Sequence, residues 1–226
     1  MSEPEGKLLP IYFVADCSGS MAGGPIAEVN KGLTSLLDAL HSESMAASKV
    51  RFCIIGFNGQ AHCHLEPEDI RNLESMPTLA ADGSTSYAAA FRELHRRLPA
   101  DVNNLKSAGY SINRPAVFFL SDGAPNPGDG WESAHTTITS PEFKQRPNIL
   151  SFGIGLADAN TIRRVASKPE FAFAAAQGVD TGHAIIEFIK ALTKSVIMSG
   201  NALASGQGTL QIEKPESFIS LEVETI

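Results

Sequence analysis

The chain of 226 residues is 43% hydrophobic and 19% charged, the balance of a globular protein with one sizeable core. Its formal charge of −7 at pH 7 argues against a nucleic-acid partner, which demands a basic face, and no apolar run reaches membrane-spanning length. The N-terminus Met1-Ser2-Glu3-Pro4-Glu5-Gly6 is acidic rather than signal-like, and Cys17, Cys53 and Cys63 lack paired zinc spacing, so a cytoplasmic protein is expected.

Residues 1–8 read as a short disordered lead to a domain over 9–198. The apolar run Ile11-Tyr12-Phe13-Val14-Ala15 predicts a buried parallel strand. It stops on Asp16-Cys17-Ser18-Gly19-Ser20, ahead of a helix near Pro25 whose Ile26, Val29, Leu33, Leu36, Leu37 and Leu40 recur at helical spacing. Such polar clusters can simply cap a strand-to-helix turn. Hard oxygen ligands with no basic residue nearby also suit Mg²⁺ or Mn²⁺.

Residues 50–57 predict a second strand, and Asn58-Gly59 a hairpin returning over Ala61 to Leu65 as an antiparallel edge strand. His62-Cys63-His64 would place its histidines on one face and the thiol on the other, as an exposed edge rather than a soft-metal site. A loop then ends in Asp82-Gly83-Ser84-Thr85-Ser86. A helix begins at Tyr87, with Phe91, Leu94 and Leu98 on its core face, His95-Arg96-Arg97 solvated and Pro99 as its stop. After a surface loop over 100–114, the strand Ala116-Val117-Phe118-Phe119-Leu120 ends in Ser121-Asp122-Gly123. The Pro/Gly-rich segment 124–130 leads to a short helix at Trp131, which could be a lid on the core but, as an aromatic anchor, is the best single candidate for a partner contact. A strand at 148–154, a helix at 158–167, a strand at 171–175 and a helix at 182–198 complete the domain. Gly200, Gly206 and Gly208 mark a flexible tail over 199–226, in which 209–212 and 218–223 could form strands. Alternating strands and helices predict an α/β, Rossmann-like, doubly wound and mostly parallel sheet with one antiparallel edge strand and helices on both faces.

Asp16, Thr85 and Asp122 fall on three connections at the carboxyl side of that sheet, with the two acid-bearing strands expected side by side. In this order, Asp16-x-Ser18-x-Ser20, Thr85 and Asp122 resemble the metal-ion-dependent adhesion site (MIDAS) of the von Willebrand factor type A family. The resemblance covers roughly residues 9–195 and fills all five ligand positions. It implies a protein-binding module, not an enzyme. Ser18 and Ser20 would coordinate Mg²⁺ or Mn²⁺ directly, Thr85 directly or through water, and Asp16 and Asp122 would often act through the ligands. One position would stay open for a Glu or Asp of a partner protein. Cys17 departs from the usual small non-thiol residue and reads as packing rather than a nucleophile. The run from Leu9 to Ile26 is similar to bacterial stand-alone type A proteins associated with tellurite resistance, which implies a protein kinase or phosphatase as partner.

The rival reading is a haloacid-dehalogenase-like phosphatase with Asp16 as nucleophile. That chemistry wants a second acid two residues on and a lysine for the phosphoryl charge. Ser18 occupies the first position, and no lysine accompanies Ser121-Asp122-Gly123.

Overall fold

The computed structural model describes residues 6–222. Among them the strands are β1 (Lys7–Asp16), β2 (Val50–Phe57), β3 (Ala61–Glu68), β4 (Ser111–Ile112), β5 (Ala116–Ser121), β6 (Asn148–Gly153), β7 (Ala172–Ala175) and β8 (Phe218–Ser220). The helices are α1 (Gly24–Ser42), α2 (Ser44–Ser48), α3 (Tyr87–Ser107), α4 (Trp131–Thr139), α5 (Ala159–Val165) and α6 (Thr181–Ala204). The strands form one sheet in the order β3-β2-β1-β5-β6-β7-β8, with β4 beside the start of β1. The expected antiparallel edge strand is β3, and β8 closes the opposite edge, also antiparallel. None of the described helices is long and apolar enough to cross a membrane.

β1 lies parallel between β2 and β5, which explains why its sequence is apolar without alternation. Ile11, Phe13 and Ala15 pack with α1 and α6 on one face of the sheet. Tyr12 and Val14 pack with α3 and α4 on the other. Strand β1 starts at Lys7, so the expected lead is partly strand, while residues 1–5 lie outside the described residues. On β3 the burial alternates: His62 and His64 are exposed, and Cys63 turns inward to lie 4.0 Å from Cys53, sulfur to sulfur.

Three expectations are overturned by contacts distant in sequence. Helix α3 does not stop at Pro99 but continues to Ser107. The turn beyond the proline is held because Asp101 accepts a buried hydrogen bond from the Tyr12 hydroxyl at 2.9 Å and Val102 packs inward, which outweighs the one bond Pro99 cannot donate. Arg97 is not solvated: it is buried and ion-paired with Glu66, with Glu93 at 3.2 Å and with Asp101 at 4.0 Å. Gly200 is not a flexible joint, because α6 runs through it to Ala204. A Cβ there would lie 2.4 Å from the Ala46 carbonyl oxygen, so glycine is what lets α6 approach α2.

The chain after α6 folds back onto that helix. The amides of Gln211 and Glu213 each donate, at 2.9 Å, to the hydroxyls of Ser199 and Ser195. Residues 209–212 are therefore not a strand, whereas β8 pairs with β7 and sets Phe218 against Phe152 at 6.0 Å between ring centroids. The remainder of the second expected tail strand, residues 223–226, lies outside the described residues.

Candidate metal centre

Asp16 is the last residue of β1 and is fully buried. One carboxylate oxygen accepts the Ser18 amide at 2.9 Å, folding the chain into a tight turn, and the other accepts the Ser121 hydroxyl at 2.5 Å. A 3₁₀ turn over Gly19–Met21 follows before α1 begins. It brings the Ser18 and Ser20 hydroxyls to 3.1 Å from each other, and Ser20 donates to Asp122 at 2.8 Å. Two carboxylates and two hydroxyls thus converge at the carboxyl ends of two neighbouring strands, β1 and β5, where open α/β sheets bind ligands.

Backbone bonds dock the second loop onto the first. Gly19 donates to the Gly83 carbonyl at 3.0 Å, and Asp82 donates to the Cys17 carbonyl at 2.9 Å. Thr85 is then clamped to the third loop by Asn126, whose amide donates to the Thr85 carbonyl at 2.9 Å while its side-chain oxygen accepts the Thr85 amide at 3.3 Å. The Thr85 hydroxyl has no hydrogen bond among the described residues. Asp129 completes the clamp by accepting from Ser86 at 2.5 Å and from the Ala88 amide at 2.8 Å, capping the start of α3. No sequence signal marks Asn126 and Asp129, because they lie in a Pro/Gly-rich loop and their partners Thr85, Ser86 and Ala88 are some forty residues away.

Burial pushes the Asp16 carboxyl above its ordinary range against the opposing bonds from Ser121 and Ser18, and the Asp122 charge pushes it further. Burial likewise raises Asp122, opposed by the bond from Ser20. Among the described residues, no Lys, Arg or His pairs with either acid. Buried carboxylates are normally paired, metal-bound or neutralised by a proton, and a bound cation is one way to satisfy this pair. The donor set fits a hard divalent ion: hydroxyls of Ser18, Ser20 and Thr85, with the carboxylates of Asp16 and Asp122. Cys17 in the same turn is buried and its thiol is pushed up to about 12, first by burial and then by the Asp16 charge, so it stays protonated and packs.

The rim differs from the sequence reading at one position. Trp131 is not on the rim: it is buried, 5% exposed, packed on Tyr87 and Phe91, with the Arg164 guanidinium 4.9 Å above its ring. Gly130, at φ +71°, turns the chain so that the indole enters the core under α4 instead of facing a partner. Leu156 is a large apolar residue exposed beside Asp122. It is 93% exposed, its amide donates to the Asp122 carbonyl at 3.0 Å, and Gly155 at φ +56° shapes the turn beside Asp122. No sequence signal marks it, because a leucine in a loop is unremarkable until its neighbour is known.

The sequence matches the family model of the von Willebrand factor type A domain over residues 11–186. Among solved structures, the pilus adhesin SpaC from Lactobacillus rhamnosus GG is 15% identical at a TM-score of 0.67, covering 86% of this chain and 30% of that one. Proximal thread matrix protein 1 from the mussel byssus, solved with a zinc-occupied MIDAS motif, is 14% identical at 0.51, covering 86% of this chain and 46% of that one. The manganese-loaded TRAP protein of Plasmodium vivax is 20% identical at 0.51, covering 80% of this chain and 73% of that one. This chain therefore spans less than half of the first two structures, and at these identities the likeness establishes the fold. With the family model covering most of its length, the chain belongs to the von Willebrand factor type A domain family.

Proposed function

We propose that the chain is a divalent-ion-dependent protein-binding module whose partner offers a Glu or Asp to an ion, Mg²⁺ or Mn²⁺, held by Ser18, Ser20, Thr85, Asp16 and Asp122. The observation that carries this reading is the pair of buried acids beside touching hydroxyls, with no Lys, Arg or His paired to them among the described residues. A bound divalent ion supplies a positive centre that attracts an acidic side chain. Asp16 already spends both its oxygens on Ser18 and Ser121, so the protein offers mainly neutral hydroxyls and leaves that centre under-neutralised. Leu156, beside Asp122, provides an apolar contact for residues flanking the partner's acid. The zinc- and manganese-bearing relatives support a divalent ion at this place. The run from Leu9 to Ile26 supports a kinase or phosphatase partner linked to tellurite resistance or related stress, and the free cysteines Cys17, Cys53 and Cys63 support a cytoplasmic setting.

Binding rather than catalysis is supported by the same geometry. An aspartyl nucleophile needs a free oxygen, and Asp16 is fully buried with both oxygens engaged. Ser18 cannot serve as a general acid.

Affinity for an isolated partner should fall at least tenfold in EDTA relative to Mg²⁺, and by less in Leu156→Ser, since most single truncations at an interface cost under about 1 kcal/mol, roughly fivefold. Surface plasmon resonance in both buffers decides it. Equal affinity with and without the ion would show that partners dock elsewhere.

A further inference from the structure

A second site lies at the opposite end of the sheet, among the segments that lead into β5 and β6 and the last turn of α3. A hollow of ≈ 270 Å³ there is lined by Lys106, Arg114, Lys144 and Arg146, together with Asn113 and Gln145, and by no carboxylate. The chain as a whole carries 25 acids against 18 Lys and Arg, so a four-cation cluster without an acid runs against its composition. Among the described residues none of the four has an ion-pair partner, while Lys and Arg side chains elsewhere commonly do. Glu142, the nearest acid in sequence to Lys144, lines a separate hollow beside Phe143.

The two arginines are held in place. Arg114 donates through Nη1 to the Arg146 carbonyl at 3.5 Å, and Arg146 donates through Nη1 to the Pro141 carbonyl at 2.8 Å. Each guanidinium has five N–H donors, so most remain unused by the protein. Lys106 also stands at the C-terminal end of α3, where its charge offsets the negative end of the helix dipole. Burial, and to a lesser extent the Arg146 charge, pull Arg114 below its ordinary value.

We propose that this hollow binds a phosphoryl group, either as free phosphate or pyrophosphate or carried on a phosphorylated protein side chain. Two forked guanidiniums match the oxygens of a phosphate, and a monoester brings a charge of roughly −1.5 to −2 with three acceptors, which suits four cations better than a single carboxylate does. The space is below the roughly 300–1,000 Å³ of small-molecule pockets, so it admits a phosphoryl group and not a whole cofactor. The site is independent of the metal centre.

Calorimetry on the full chain tests it, with inorganic phosphate, pyrophosphate and a phosphoserine peptide titrated both in Mg²⁺ and in EDTA. Wild-type protein should bind with similar affinity in both buffers, and Thr85→Ala should bind as wild type. Lys106→Ala with Lys144→Ala, which removes no hydrogen bond among the described residues, should weaken binding roughly tenfold or more, the scale of lost charged hydrogen bonds. Arg114→Gln with Arg146→Gln should abolish it, with circular dichroism showing the fold retained. A tighter fit for the peptide assigns a protein-borne phosphate, and a tighter fit for the inorganic ions assigns a free one. Absence of binding by the wild type, binding lost in EDTA, or unchanged affinity in the lysine pair would each overturn the proposal.

Discussion

Asp16 both supports the fold and belongs to the proposed metal centre, whereas Thr85 can be separated from the fold. Removing the Asp16 carboxylate leaves the Ser121 hydroxyl and Ser18 amide without their acceptor inside the protein, so Asp16→Ala should cost about 1–3 kcal/mol of stability as well as ion affinity. The Thr85 hydroxyl has no bond to lose among the described residues, so Thr85→Ala should weaken Mg²⁺ binding at an unchanged Tm. Mg²⁺ calorimetry and thermal melts on the two variants check this, and full affinity in Thr85→Ala would remove that residue from the site. Asp69 offers a test by pH. Burial raises its carboxyl, but the bonds from Arg71 and the charges of Arg51 and Arg71 outweigh burial and leave it below its usual range. A depressed folded pKa gives stability that is present above the unfolded value of about 3.9 and lost as pH falls through the folded one. Asp69→Asn should therefore be less stable than wild type at pH 7, with the gap closing below about pH 4 in urea melts.

At the scale of elements, the join between α6 and α2 depends on the absence of a side chain. Gly200→Ala gains up to about 1 kcal/mol of helix propensity. It also drives a methyl to 2.4 Å from a backbone oxygen, a clash that no rotamer change relieves. Overpacking of this kind costs about 1–3 kcal/mol and should win, lowering the Tm; an unchanged or raised Tm would mean that α2 shifts freely. The same comparison of magnitudes explains α3, where the bond lost at Pro99 is outweighed by Tyr12, Asp101 and Val102 beyond it.

For the whole molecule, the two ends of the sheet carry opposite charge patterns: buried acids at the carboxyl end of β1 and β5, and cations without an ion-pair partner among the described residues at the entry to β5 and β6. The core between them depends on the last strand. Phe218 of β8 is 2% exposed and lies against Phe152, which also touches Phe173 and Phe188. Phe218→Ala should cost about 3–5 kcal/mol by urea denaturation, like other large core truncations. A cost below about 1 kcal/mol would make the terminal strand an accessory and not part of the domain.

The sequence by itself determined the alternation of strands and helices, the antiparallel hairpin at Asn58-Gly59 and the loops that bear Asp16, Ser18, Ser20, Thr85 and Asp122. These follow from short-range rules: side-chain period, turn chemistry and an apolar run long enough for a strand buried on both faces. What the tertiary structure decided involves partners far apart in the chain. Trp131 turns inward because Tyr87, Phe91 and Arg164 surround it, and Arg97 is buried because Glu66 and Asp101 reach it. Asn126 acquires its part in the clamp only when its loop meets Thr85, and Leu156 becomes a rim residue only when its turn meets Asp122. Local pattern sets the period of an element and where its ends lie, but whether a side chain is buried, paired or exposed depends on what the rest of the chain folds against it.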